Sequence, residues 1–173
     1  MAASSSGCLD LIEAQLDHAG VVCARIAATE SAPDQVIVLL DVDASDDEQA
    51  FEQALRFHLF FVPGFEDPSV LQYFIALPVT IEAGYAAALA EFLCVVNSSM
   101  PITGFEMSGA LGMVALRHTH AISAKPFAVE VVEWTLAMLH SVIHQSTDLI
   151  IAVAAGLAPA EATEELNNRL RAG

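Results

Sequence analysis

Histidine supplies the first candidate chemistry. The chain contains six. His118 and His120 lie two apart in a stretch that reads as a strand, so both side chains project from one face. His140 and His144 lie four apart in a stretch that reads as a helix, again on one face. Two such pairs are the raw material of a tetrahedral or tetragonal metal site. The helical wheel argues against one. At about 100° per residue, Glu130, Glu133, His140, His144 and Asp148 share a single polar arc. That pattern suits a solvated helix face, with His144 and Asp148 as a local pair. A histidine-based, metal-dependent enzyme therefore ranks third among the functions considered, and no metal site is assigned.

Other reactive groups lack the surroundings that would activate them. There is no G-x-S-x-G, and no cysteine sits at a helix start or beside basic residues that would depress its pKa. Cys94, among Phe92, Leu93, Val95 and Val96, is expected to fill core space. The acids Asp41, Asp43, Asp46, Asp47 and Glu48 lack the glycine and distal glutamate of a calcium loop. No glycine-rich loop could cradle a phosphate. The sequence reads as non-enzymatic, with no cofactor.

Charge narrows the partners. There are 22 acidic residues against 6 basic ones, for a formal net charge of −16. Without a basic patch, counterion release cannot drive binding to nucleic acid, and anionic membrane surfaces are disfavoured as well. The acidity keeps an apolar chain soluble, and hydrophobic residues make up 55% of it. Three widely spaced cysteines and a start without a basic segment before an apolar run point to a reduced, cytoplasmic setting. The longest uncharged apolar run, Leu149 to Ala158, is too short to span a bilayer, so no membrane partner is expected.

The elements follow from periodicity. Residues 1–6 are expected to be disordered. A helix from Cys8 to Ala19 carries Leu9, Ile12 and Leu16 at helical spacing. Strands follow over Val21 to Thr29, Gln35 to Asp43, Phe51 to Val62 and Ser69 to Val79. In the third, Phe57, Leu59 and Phe61 alternate with Arg56 and His58; in the fourth, Leu71, Tyr73, Ile75 and Leu77 share a face. Thr80 is a candidate N-cap for a helix running to Val96. A hairpin over Gly104 to Thr119 leads into one long helix from Lys125 to Gly156. The order is α-β-β-β(-β)-α-β-β-α. Segregated strands and helices predict an α+β fold, an antiparallel meander plus a hairpin with helices packed on one face. A single domain is expected over residues 7–156, with residues 157–173 as a loosely attached polar helix or tail.

This order resembles that of the YbjN family, whose members share the type III secretion chaperone-like fold. The matching stretch is Val62 to Gly156. It contains LQYFIALP (Leu71 to Pro78), FLCVVN (Phe92 to Asn97), GFEM (Gly104 to Met107) and VALRH (Val114 to His118), with Asn97, Gly104, Phe105 and Arg117 as markers. The resemblance implies a small acidic protein that binds other polypeptides without catalysis, dimeric as secretion chaperones are.

The long helix carries two apolar stripes. Val129, Val132, Leu136, Leu139, Ile143 and Ile150 form one. Val131, Met138, Val142, Leu149 and Val153 form the other, about 120° away. Leaving four large side chains of the second stripe in water would forgo about 6–12 kcal/mol, which rivals the stability of a domain. Either the chain's own first or last helix or a sister chain must cover them. We expect a homodimer interface over Val131, Trp134, Met138, Val142 and Leu149. Arg117 is expected to pair with Glu106 across the hairpin, or else to meet a partner's carboxylate. An open sheet face or edge would hold an unidentified protein client, with strand addition as one route. The expected function is a chaperone-like protein-binding module, and the alternative is a regulatory or structural subunit of a fixed complex.

Overall fold

The computed structural model describes residues 5–41, 54–65, 69–102, 104–108, 112–122 and 128–172. Among these, the chain runs α1 (Ser5–His18), β1 (Cys23–Ile26), β2 (Gln35–Leu39), β3 (Arg56–Phe61), β4 (Ser69–Leu77), α2 (Ala86–Ser99), β5 (Phe105–Ser108), β6 (Met113–Ile122), α3 (Glu130–Ala154) and α4 (Pro159–Ala172). The fold is α+β, as the segregated pattern requires. The strands form one antiparallel sheet in the order β1-β2-β3-β4-β6-β5. Strands β1 to β4 are the meander. The β5–β6 hairpin joins it through β6, which lies beside β4.

Two compact units divide the chain. The first holds residues 1–75 and 118–136, the second residues 76–117 and 137–173. In the first, the alternation of β3 is realised: Phe57, Leu59 and Phe61 are buried while Arg56 is exposed. Register carries that face across the meander, with Val36 opposite Leu59 and Val38 opposite Phe57. Helix α1 lays Leu9, Ile12 and Leu16 into the same core, each almost fully buried. Arg25 holds it there. The guanidinium donates to Asp10 of α1 at 3.0 Å, to Ser6 of α1 at 3.1 Å and to Asp34 at 2.7 Å. Its hydrogen bond holds the Asp34 carboxyl below the usual carboxylate range.

In the second unit, helix α2 buries Leu89, Phe92, Leu93 and Val96 and packs with α4. The hairpin is fixed by Asn97 and Gly104. Asn97 Oδ1 accepts from the backbone N–H groups of Gly104 (3.3 Å) and Phe105 (3.0 Å). Its Nδ2 donates to the Phe105 carbonyl at 2.9 Å. Gly104, at φ 150°, accepts from the Arg117 N–H at 2.9 Å; a Cβ here would stand 1.7 Å from the Arg117 carbonyl oxygen. Asn97, Gly104, Phe105 and Arg117 are thus one backbone-locking unit.

Several sequence expectations need correction. Ser5 and Ser6, placed in a disordered start, belong to α1. The helix expected from Thr80 begins at Ala86, because Gly84 turns the chain at φ 96° and the Glu82 N–H is taken by the Ala154 carbonyl at 3.1 Å. Cys94 is exposed on α2 rather than a core filler, since it falls outside the arc of Leu89, Phe92, Leu93 and Val96. Helix α4 is not a loose tail: Ala162 and Leu166 are buried. Phe51, Lys125 and the acidic stretch after Asp41 lie outside the described residues.

The hairpin lock gives the first prediction. Gly104→Ala must move the Arg117 backbone, and the strained φ adds to the clash. We expect a loss of about 3 kcal/mol or more, read as a lowered denaturant midpoint. An unchanged midpoint would mean that the close approach is not maintained in solution.

Candidate functional site

Helix α3 is the longest element, and its two stripes meet different fates. The first is buried throughout its regular part: Val132, Leu136, Leu139, Ile143 and Ile150 all belong to the core. The second is split along its length. Val142 and Leu149 are only 3% and 6% exposed. Val131, Trp134 and Met138 are 41%, 66% and 43% exposed. The expectation that all five line a partner surface is therefore corrected for Val142 and Leu149, which the chain itself already covers.

Helix α4 is tied to the C-terminal part of α3. Leu149 and Leu157 form the apolar floor of a cavity of about 310 Å³ whose other walls are α4 residues, Glu161, Glu164, Glu165 and Asn168. Arg169 pins the far end of α4 to α3. It donates to both carboxylate oxygens of Asp148, each at 2.8 Å, and to the Gln145 carbonyl at 3.1 Å. It is steadied by Glu165 one turn earlier, at 3.0 Å. The Arg169 hydrogen bond holds the Asp148 carboxyl low. Asp148 is thus engaged by Arg169, not by His144 as the helical spacing suggested.

Val131, Trp134 and Met138 follow one another at i, i+3 and i+7, the spacing of a helix–helix seam. None is charged. Each is about half exposed, so covering them recovers about half of the roughly 1.5–3 kcal/mol that full burial of such a side chain is worth. Trp134 is the only tryptophan in the chain, so the patch carries its own spectroscopic probe.

The other candidates fall out differently. His140 and His144 stack edge-on at 6.5 Å on the outer arc of α3, in the second unit. His118 and His120 lie in the first unit, beside Tyr73. Among the described residues, no three histidine, cysteine, aspartate or glutamate side chains are grouped to hold a metal ion. Arg117 donates to Glu106 at 2.7 and 3.1 Å, the cross-hairpin pair expected of it. Both partners are about half exposed, so the pair contributes about 0–1 kcal/mol. By length and composition α3 could cross a membrane, although less than half of its most apolar window is buried within the chain. The buried part includes the core stripe, and the remainder includes the polar arc.

On each outer strand, one residue's outward backbone is engaged within the chain. The outward N–H of Arg25 on β1 donates to Glu13 of α1 at 2.9 Å. On β5, the outward N–H and C=O of Phe105 are both taken by Asn97. Periodicity had no means of revealing either cap, because each depends on a side chain from a separate helix. No family model, no curated protein and no solved structure matches this chain.

Helix α4 should depend on its arginine. Arg169→Ala is expected to cost about 1–2 kcal/mol, the sum of an exposed ion pair and a carbonyl hydrogen bond. The pH sign is fixed. Asp148 has a depressed folded pKa, so its contribution is present above the ordinary aspartate value and is lost as pH falls through the depressed one. Urea melts at neutral and acidic pH should show the Arg169→Ala deficit shrinking with acid. A deficit independent of pH would count against this assignment.

Proposed function

We propose that this protein is a non-catalytic, chaperone-like protein-binding module of the YbjN type, acting in the cytoplasm as a homodimer and offering its acidic surface to a client polypeptide. The exposed seam of Val131, Trp134 and Met138 carries this reading. The α+β order supports the resemblance to secretion chaperones.

A second copy is the occupant that the seam favours. Farther along α3, Arg169 of α4 already bonds to Asp148 and Gln145, so a helix is a complement that α3 accepts. In a twofold contact Trp134 of one copy meets Met138 of the other, and thioether–aromatic contacts add about 0.3–1.5 kcal/mol each. The seam holds no charge, so two copies meet without desolvating one. The arginines that hold α1, α4 and the hairpin are engaged inside the chain. The remaining field is strongly negative and steers basic clients toward the molecule.

Light scattering tests the dimer. The wild-type protein is expected to be dimeric. Met138→Glu should weaken association by about tenfold or more, because each copy loses the burial of the exposed part of Met138, about 1 kcal/mol, and brings a charge into the seam. The sign of the salt effect is a second check. Two copies at −16 repel each other, so the dimer should tighten as salt rises, whereas binding of a basic client should weaken. A monomeric wild-type protein, or a Met138→Glu variant that stays dimeric, would sink the seam as the self-association surface.

A further inference from the structure

The cavity of about 310 Å³ in the second unit joins an apolar floor to a charged rim. Leu149 and Leu157 are the floor; Glu161, Glu164, Glu165 and Asn168 are the walls. Leu149 is buried and Leu157 half-buried, while all four polar residues are exposed. The three carboxylates differ in what holds them. Glu165 is met by Arg169 at 3.0 Å. Glu161 lies in the first turn of α4, where the helix dipole favours negative charge. Glu164 lies beyond that turn. Among the described residues, no cation is paired with Glu161 or Glu164. Glu164 and Glu165 follow Glu161 by three and four residues, spacings at which like charges on a helix repel. A second cavity, of about 240 Å³ beside α1, lacks this imbalance: its carboxylate, Asp34, is already met by Arg25.

We propose that the slot over Leu149 and Leu157 receives a cationic side chain of a client polypeptide, arginine ahead of lysine. The floor decides the class of occupant. A hard metal cation gathers oxygen ligands and gains nothing from two leucines. A wholly apolar side chain gains nothing from the carboxylates. Arginine and lysine suit both parts, since the methylene stem covers the leucines while the charged head stays among the glutamates. Guanidinium is preferred because its planar fork serves more than one carboxylate and it is more weakly hydrated than an ammonium. The volume is at the small end of ligand clefts, about 300–1,000 Å³. It therefore takes a side chain and not a folded element. The slot gives the client-binding reading, on which it rests, a specific requirement: a basic residue at the contact. The seam of Val131, Trp134 and Met138 takes no part, so a single chain suffices.

N-acetyl-arginine amide, titrated into the isotope-labelled protein at low salt and followed by NMR, tests the slot. Amide shifts should concentrate at Leu149, Leu157, Glu161 and Glu164. N-acetyl-lysine amide should bind more weakly, and the neutral isostere N-acetyl-citrulline amide should leave these amides unmoved. Glu161→Gln/Glu164→Gln keeps the size of both side chains and removes like charge from α4, so the variant should fold as the wild type does. It should weaken arginine binding by about tenfold. Glu91→Gln/Glu130→Gln removes the same charge from exposed positions outside the slot and should bind as the wild type does. Met138→Glu should also bind normally.

A peptide of alternating glycine and arginine separates the slot from the wider reading. It should bind the wild type and lose affinity in the Glu161→Gln/Glu164→Gln variant but not in the Glu91→Gln/Glu130→Gln control. Equal binding to all three would overturn the slot and leave the client-binding reading standing. Binding to none would remove both. Shifts scattered over the acidic surface, an equal response to citrulline, or calcium chloride moving these amides where arginine does not, would each overturn the slot.

Discussion

The width of the apolar surface on α3 sets the terms for the rest of the structure. A helix docked on one core needs one stripe; this helix carries two, about 120° apart. The first is satisfied along its regular length by core residues. The second needs another covering element, and the chain provides cover only over the C-terminal half, where Val142 and Leu149 are buried and Arg169 of α4 reaches Asp148 and Gln145. The N-terminal half is left with Val131, Trp134 and Met138 in water. An apolar seam interrupted by solvent is a feature that association can relieve.

Scarce positive charge is placed with the same economy. In a chain of net charge −16, Arg25 ties α1 to the edge of the meander, Arg117 braces the hairpin and Arg169 anchors α4. Each bridges elements that the sheet's backbone hydrogen bonds do not join, or reinforces a short pairing. Bidentate guanidinium geometry suits this role, since one side chain satisfies several acceptors at once. The caps on β1 and β5 use the same device with Glu13 and Asn97. They turn backbone groups that would recruit another strand into internal hydrogen bonds.

Particular elements show what was legible in the linear chain. The β3 and β4 alternations read directly as a half-buried meander, because a period of two has one structural meaning there. The Arg117–Glu106 pair was legible too, since a hairpin fixes which residues face each other. Thr80 misled because a good cap is only a permission to start a helix, and Gly84 and the Glu82–Ala154 hydrogen bond overrode it. Cys94 misled because apolar neighbours in sequence are not neighbours around a helix. His144 and Asp148 had the right spacing, but Arg169, 21 residues on, offered a charged bidentate partner that a histidine cannot match.

The two apolar faces of α3 were fixed by sequence alone, because helical periodicity depends only on residue order. So were the fold class, the acidity and the lack of a recognisable catalytic motif. Which residues of the second face remain open was decided only by tertiary structure. That depends on where α4 turns back and on the hydrogen bonds of Arg169, contacts between segments far apart in the chain that no local pattern encodes. The meeting of Tyr73 with His118 and His120 arises in the same way, since it requires β6 to lie beside β4 in the sheet.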